Sequence, residues 1–484
     1  MELGALVGAL TDATVTGGAP PARTSAGTSA GPEITSIEFD SRAVQPGSLF
    51  CCLRGEHTDG HDHAGAAVAA GAVALLADRP LDLGVPCIVV PDTRPAMAEL
   101  AVRFHGDPAS AMTVVGITGT NGKTTTSYLL QAVFEAAGLT AEVMGTLSGA
   151  RTTPEAPEVQ ARLAAMRDRG VQAVAMEVSS HALEQHRVDG MRFAVAVFTN
   201  LSRDHLDYHG TMEAYFEAKA RLFEPGRAAR AAVNVDSPYG RLLLDSAQVP
   251  TEGYSLADAD DLEVTAEASR FRWRGHDVHL GIGGRFNVAN ALAAATAASV
   301  AGVDDAAIVA GLSRPVTVPG RFEVVDEGQP FPVIIDYAHT PDGLEQLLLA
   351  VRDLHPAGSV GVVFGCGGER DTSKRPAMGE VAAQLADRVI LTADNSRGEP
   401  TGAIIDAVRQ GYDHASGRRS RELVVEPDRR TAIAGAIAAA GPGDVVVIAG
   451  KGHETTQVIG DTVVPFDDRE VARSELTGRF GGAA

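Results

Sequence analysis

Short apolar runs that end in glycine or a charged residue recur along this chain, separated by stretches whose apolar residues fall three and four apart. MTVVGITG (112–119), VQAVAMEV (171–178), FAVAVFTN (193–200) and AAVNVD (231–236) belong to the first kind and predict buried strands. TTTSYLLQAVFEAAG (124–138) and NVANALAAATAASVAG (287–302) belong to the second and predict helices, the former stopped by Gly138. Strands alternating with helices imply a parallel sheet covered on both faces. The same alternation starts again near Pro319, with VIIDYAH (333–339), VGVVFGCGG (360–368), RVILTADN (388–395) and DVVVIAGKG (444–452). Ahead of both lies a smaller unit. ITSIEFDSRAVQPGSLFCCLRG (34–55) reads as two strands around a turn, and AGAAVAAGAVALLAD (64–78) as a helix leading into a strand. Residues 13–33, rich in Gly, Ala, Pro, Ser and Thr, read as a flexible loop. SRFRWRGHDVHL (269–280) reads as a hairpin with Trp273 as a packing residue. The predicted fold is α/β in three domains: residues 1–108, a central unit at 109–318 with a parallel sheet, and a doubly wound unit at 319–484.

Composition narrows the function. A length of 484 residues suits about three domains, and 45% apolar residues can fill their cores. No run reaches the roughly 20 apolar residues that a membrane span requires. The N-terminus MELGALVGALTDA lacks a basic, signal-like layout, so a cytoplasmic protein is expected. Cys51, Cys52, Cys87 and Cys366 form no CxxC pair and read as reduced structural thiols. With 41 basic and 62 acidic residues the net charge is −21, which argues against nucleic-acid and membrane-surface partners. It leaves room for an anionic small molecule held by a few local cations and backbone N–H groups.

Gly119-Thr120-Asn121-Gly122-Lys123-Thr124-Thr125 sits between a predicted strand and a predicted helix. Glycines let the backbone N–H groups face phosphate oxygens, and the helix N-terminus adds a positive field. In such a loop Lys123 would reach the β- and γ-phosphates, and the Thr124 hydroxyl would bind Mg²⁺. The spacing departs from GxxxxGK[ST], because Ile117 takes the first glycine's place. Glu177 ends a strand in MEVSSH and could serve a metal or simply be a structural acid. Thr199–His209 (TNLSRDHLDYH) packs acids and histidines after a strand, as a second Mg²⁺ site would. Lys219 on MEAYFEAKARLF could be an ordinary solvated helix lysine. Four charged loops follow predicted strands of the last domain: DYAHTPD (336–342), GCGGERD (365–371), DNSR (394–397) and GKGHE (450–454). Together they suggest a polar ligand bearing both charges, at the strand ends where such sheets bind ligands. His57, His61 and His63 superficially resemble a metal cluster but read as loop and helix-start residues.

In this order, the segments resemble the Mur ligases, and within them the UDP-N-acetylmuramoyl-tripeptide synthetases. The likeness spans nearly the whole chain. It also includes DSRAVQPGSLF (40–50), TTPE (152–155), MEVSSHALEQHRV (176–188), GRFE (320–323), KRP (374–376) and DDRE (467–470). The resemblance implies a UDP-binding N-terminal domain, a central ATPase and a C-terminal Rossmann-like domain for the incoming amino acid. It implies that Ser41 and Arg42 lie near the UDP moiety, and that Thr152, Thr153, Ser179, Gln185 and Arg187 hold the muramoyl-dipeptide. The phosphate loop (Gly119, Thr120, Asn121, Gly122, Lys123, Thr124, Thr125) would bind ATP together with Asn290, Arg321 and Asp336. Thr124, Glu177, His205 and Lys219, the last as a carbamate, would serve two Mg²⁺ ions. Arg370, Asp394, Asn395, Arg397, Gly450 and Glu454 would form the amino-acid pocket.

The implied reaction joins an amino acid to UDP-N-acetylmuramoyl-L-Ala-D-Glu through an acyl-phosphate, with ATP consumed and a monomer acting alone. Lys123, Glu177, His205 and Lys219 would be its catalytic residues. Two features depart from the family pattern. Asp394-Asn395-Ser396-Arg397 stands where the diaminopimelate-adding subgroup has Asp-Asn-Pro-Arg, and the stretch from Gly145 to Thr152 is short. Retention of Arg397, whose fork suits a distal carboxylate, favours diaminopimelate over lysine. A lysine-adding ligase, a folylpolyglutamate-type ligase and a non-catalytic nucleotide-binding paralogue are the rival readings.

Overall fold

A computed structural model of the chain describes residues 1–17, 31–55, 58–149 and 151–480. Most of the stretch expected as a loop at 13–33, and His57, therefore lie outside the described residues. The fold is mixed α/β with several parallel sheets. It comprises two compact units, one of Met1–Gly116, Leu139–Ala196 and Ala218–Arg230, the other of Ile117–Gly138, Val197–Glu217 and Ala231–Ala484.

In the first unit, Ser36–Glu38, Ser48–Cys51, Ala74–Ala77 and Cys87–Val89 pair in parallel in that order, and Thr14–Thr16 adds antiparallel to the last. Side chains alternate between the faces, as the two-residue period of a strand dictates. Leu49, Cys51, Leu76 and Ile88 pack with Leu6, Met97 and Leu100 on one side. Phe50, Cys52, Leu75, Ala77 and Cys87 pack with Ala64 and Ala67 on the other. All four cysteines are buried and free, which fits their reading as packed thiols. The same unit carries Ala173–Glu177, paired in parallel with Ala141–Met144.

In the second unit, the helix Lys123–Ala136 follows the glycine loop, and the helices Arg285–Val300 and Asp305–Leu312 pack against it. The last sheet orders its strands Glu323–Val325, Val333–Asp336, Val445–Ala449, Val360–Phe364, Arg388–Leu391 and Glu422–Val425. All neighbours run parallel except the first pair. Val333, Ile335, Val363, Ile390, Val446 and Ile448 face one core, while Ile334, Val362, Phe364, Val389, Val445 and Val447 face the other. Burial on both faces explains why these strands read as continuous apolar runs. Their C-terminal ends release Asp336, Gly450, Gly365 and Asp394 from adjacent strands, so the four charged loops share one edge.

Two local expectations also have their physical basis here. Trp273 is buried in the hairpin Ser269–Trp273 and His276–Leu280, whose turn puts Arg274 and Gly275 at positive φ, with the Arg274 guanidinium over the indole at 4.6 Å. His61 is buried in the helical turn Gly60–His63, with Nδ1 2.5 Å from Asp59 Oδ1 and Nε2 accepting from the Asp78 N–H at 3.3 Å. No helix among the described residues is long and apolar enough to cross a membrane.

Candidate active site

Two glycines of the phosphate loop hold backbone conformations that a side chain would strain. Gly119 (φ +150°) would place a Cβ 1.9 Å from Thr199 Oγ1, and Gly122 (φ +86°) one 2.2 Å from Asn290 Oδ1. The segment after Phe193–Phe198 braces this loop. Asn200 accepts from the Asn121 N–H at 2.9 Å, Thr199 Oγ1 donates to the Asn121 carbonyl at 2.6 Å, and the Ser202 N–H donates to Thr120 Oγ1 at 3.0 Å. Lys123 folds back over the loop, its Nζ donating to the carbonyls of Gly119 and Thr120 at 2.8 and 2.9 Å. An ammonium on those carbonyls is placed to exchange them for phosphate oxygens.

Three segments distant in sequence close on the loop. Arg321 lies 3.4 Å from Thr124 Oγ1 and stacks over Tyr337 at 4.2 Å, and its Nε is buried without a hydrogen-bond partner. Asp336 accepts from the Phe322 and Ala338 N–H groups, both at 2.7 Å. Burial pushes its carboxyl pKa up, against the opposing pull of Arg321. Asn290 is buried and bonded to Asn287 at 3.2 Å. Asn121 Nδ2 donates to Asp342 at 2.9 Å. Asn290, Arg321 and Asp336 are thus gathered around the phosphate loop or the residues that touch it. His205 takes a left-handed φ of 54° at the start of Leu206–His209, with Nε2 3.4 Å from Asp204 Oδ2. Burial raises the Asp204 pKa, but His205, His339 and Lys374 outweigh it and hold the carboxyl below its usual value.

At the shared strand edge, Asn395 Nδ2 donates to Glu454 Oε2 at 2.7 Å. Asp394 Oδ2 lies 3.1 Å from where a Cβ on Gly450 would sit. Arg397, at φ 49°, donates from its guanidinium to the Gly368 carbonyl at 2.7 Å, while its backbone is held by Val458 and Gly460. Ser396 is buried, its hydroxyl 2.7 Å from that of Thr401. Arg370 is exposed on the neighbouring loop. Five of the six expected pocket residues are therefore linked by named contacts or adjacent positions, and Arg370 stands at their rim.

In the first unit, Glu177 is buried. Its oxygens accept from the Thr146 N–H and hydroxyl, each at 3.0 Å, and the Thr146 hydroxyl lies 3.0 Å from that of Thr152. Thr153 Oγ1 donates to the Glu177 carbonyl at 3.0 Å and accepts from the Ser179 N–H at 3.1 Å. Arg187 bonds Gln185 at 2.7 Å and the Thr153 carbonyl at 2.9 Å. Thr152, Thr153, Ser179, Gln185 and Arg187 thus form one cluster. Lys219 is 1% exposed, which removes the solvated-helix reading. Arg42 is exposed and chelates Asp40, holding that carboxyl at about 2. Asp40 and Ala43, on either side of Ser41 and Arg42, line a cavity of about 640 Å³ with Arg151 and Arg162.

Residues 33–105 match the Mur ligase family catalytic domain, 117–298 the Mur ligase middle domain, and 320–452 the Mur ligase glutamate ligase domain. The chain belongs to the Mur ligase family. Mur ligases are ATP-dependent, ADP-forming ligases, and this one is an enzyme of that type. Similar relatives are the UDP-N-acetylmuramoyl-L-alanyl-D-glutamate–2,6-diaminopimelate ligases of Syntrophomonas wolfei (44% identical over 92% of this chain and 95% of that protein) and Streptomyces coelicolor (45%, 92% and 92%). A solved structure of a ligase of the same name is 36% identical, with a TM-score of 0.63 over 92% of this chain and 95% of that one. The MurF ligase of Thermotoga maritima, solved with ADP, shares the fold at 20% identity and a TM-score of 0.61 over 92% and 97%.

Several residues of this Mur ligase site had no assigned role in the sequence reading. Glu155, buried, pairs with Arg187 at 2.9 Å and faces Arg94 and Arg151 at 3.6 Å. Thr146 holds both oxygens of Glu177, and Asp342 reaches the phosphate loop. Lys451, between two glycines after an apolar strand, is completely buried among pocket residues. Only Lys451 carried a visible signal, a cation where a strand end should be solvated.

Proposed function

We propose that this Mur ligase adds 2,6-diaminopimelate to the D-Glu of UDP-N-acetylmuramoyl-L-Ala-D-Glu, in the cytoplasm and as a step of peptidoglycan synthesis. The observation that carries this reading is Arg397, held at the strand edge by its bonds to the Gly368 and Asn395 carbonyls. The names of relatives 44–45% identical over nearly the whole chain point the same way. A guanidinium fork suits the distal carboxylate of diaminopimelate, and lysine has no such group. The ordering of functions along the chain is part of the proposal: the UDP moiety at 1–108, ATP at 109–318 and the amino acid at 319–484.

Chemically, an oxygen of the D-Glu carboxylate attacks the γ-phosphorus of ATP, the bond to the β-phosphate oxygen breaks, and ADP leaves. The amine of diaminopimelate then attacks the acyl carbon, and phosphate departs with the former carboxylate oxygen. Lys123 offsets charge on the phosphates during the first step, in the manner that dominates phosphoryl transfer generally. Arg321 supplies a second cation beside Thr124. Arg187, with Thr152, Thr153, Ser179 and Gln185, orients the dipeptide, and Asp394, Asn395, Gly450, Glu454 and Arg370 surround the amino acid.

Thr124, Glu177, His205 and Lys219 as a carbamate would hold two Mg²⁺ ions, which would lower the charge of the phosphates. Among the described residues no group of three or more His, Cys, Asp or Glu is placed to hold a metal alone. Lys219 is buried, unlike an ordinary solvated lysine, and addition of CO₂ to its neutral amine, with loss of one proton, would give a metal-binding anion.

Incubating the protein with ATP, Mg²⁺, UDP-N-acetylmuramoyl-L-Ala-D-Glu and a panel of meso- and LL-diaminopimelate, lysine and ornithine tests the reading. Product mass should show addition of diaminopimelate. Addition of lysine in preference would assign the alternative, and ATP hydrolysis without either substrate would indicate a simple NTPase.

A further inference from the structure

Lys451 is fully buried just after the strand Val445–Ala449, among buried Asp394 and Asn395 and half-buried Glu454. An ammonium in that position persists only if each of its three donors has an acceptor. Its Nζ donates to Asn395 Oδ1 at 3.3 Å, to Glu454 Oε2 at 3.0 Å and to the Thr456 carbonyl at 2.7 Å, with Asp394 Oδ1 at 3.9 Å. Asn395 is fixed from both ends, since its Oδ1 also accepts from the Val458 N–H at 2.9 Å and its Nδ2 donates to Glu454. One buried cation thereby touches or faces Asp394, Asn395 and Glu454.

We propose that Lys451 is a positioning and charge-setting residue of the amino-acid pocket, matching it to a zwitterionic end group that carries one ammonium and one carboxylate. The inference rests on the assignment of Asp394, Asn395, Arg397 and Glu454 to that pocket. Two carboxylates, Asp394 and Glu454, face the buried ammonium of Lys451, while Arg397 bonds backbone carbonyls beside them and Arg370 is exposed at the rim. Arg397 is left to meet a carboxylate, while Asp394 and Glu454 retain acceptor capacity for an ammonium. Without Lys451 the two carboxylates lose the buried cation that faces them, and the pocket turns towards a lone ammonium such as the lysine side chain. Lys451 need not touch the reacting atoms. It fixes the rotamers of the groups that hold the substrate and sets their summed charge.

The test uses the full-length protein with Lys451→Gln, which can still donate to the Thr456 carbonyl and fills much of the same space, and with Lys451→Arg. Thermal melts of both confirm that each is folded. For Lys451→Gln the KM of diaminopimelate should rise about tenfold or more with that of ATP unchanged within about twofold, as expected for the loss of charge-assisted hydrogen bonds. The ratio of kcat/KM for diaminopimelate over lysine should fall by about tenfold. Lys451→Arg should recover part of both. Equal rises in the two KM values, or an unchanged diaminopimelate-to-lysine ratio in an enzyme that prefers diaminopimelate, would overturn the role of Lys451. Failure of the wild-type protein to prefer diaminopimelate would overturn instead the choice of amino acid on which the charge matching rests.

Discussion

Arg429 and Asp468 form an ion pair with neither side chain exposed, joined by two hydrogen bonds of 2.7 Å. The guanidinium also donates to the carbonyls of Ala393 and Ala449, the residues immediately before Asp394 and Gly450. A buried pair thus ties together two strand ends that carry the amino-acid pocket. Removing one partner strands the other charge in a desolvated site. Arg429→Met should therefore destabilise the C-terminal sheet by about 3–5 kcal/mol, whereas replacing both residues with apolar ones should cost much less. Differential scanning calorimetry of the single and double variants checks this. Equal losses in both would show that packing rather than charge holds the site.

The phosphate loop gives a paired prediction. Gly122→Ala drives a Cβ into Asn290 at a positive φ, so ATP turnover should fall by at least about a hundredfold. Gly138 also has a positive φ, but a Cβ there meets nothing within 4 Å. Gly138→Ala should lower stability by roughly 1 kcal/mol and leave the KM for ATP unchanged. Steady-state kinetics and thermal melts of the two variants separate these effects.

Much of this architecture was legible in the chain because the periods of strand and helix are set by burial on known faces. The four charged loops of the last domain could be placed at one sheet edge for the same reason. What could not be read were pairings between distant segments. Asn121 meets Asp342 across 221 positions, and Glu155 gathers Arg94, Arg151 and Arg187 from three separate elements. Nothing in the local pattern around either acid distinguishes it from a solvated one. Lys219 shows the same limit, since its position on a short helix does not reveal that the side chain is buried.

Thr146 provides a test of how Glu177 is held. Its hydroxyl and N–H both donate to the carboxylate, and Thr146→Val removes only the first of these bonds. The Mg²⁺ concentration for half-maximal turnover should rise about three- to tenfold, as one such hydrogen bond implies, with the KM for diaminopimelate unchanged. A rise in the amino-acid KM alone would contradict the proposed metal role of Glu177.

Acid should destabilise the fold through histidines. Burial, the leading cause in each case, pushes His105, His339, His355 and His453 down, His339 and His453 to about 4. These rings are neutral in the folded chain at pH values where the unfolded chain binds a proton. Their contribution is fully present above the unfolded value near 6.5 and is lost progressively as the pH falls towards about 4. The melting temperature should therefore be flat above about pH 7 and drop between about 6.5 and 4. His339→Gln should shallow that slope, and an unchanged slope would remove His339 from the account.

Transfer of a carboxylate oxygen is the most direct measure of the proposed reaction. UDP-N-acetylmuramoyl-L-Ala-D-Glu labelled with oxygen-18 in the D-Glu side-chain carboxylate is turned over with unlabelled ATP and diaminopimelate, and the released phosphate is analysed by mass. The account predicts one labelled oxygen in each phosphate, formed in equal amount with ADP and the tripeptide product. Phosphate free of label, alongside full conversion to product, would contradict attack of that carboxylate on the γ-phosphate.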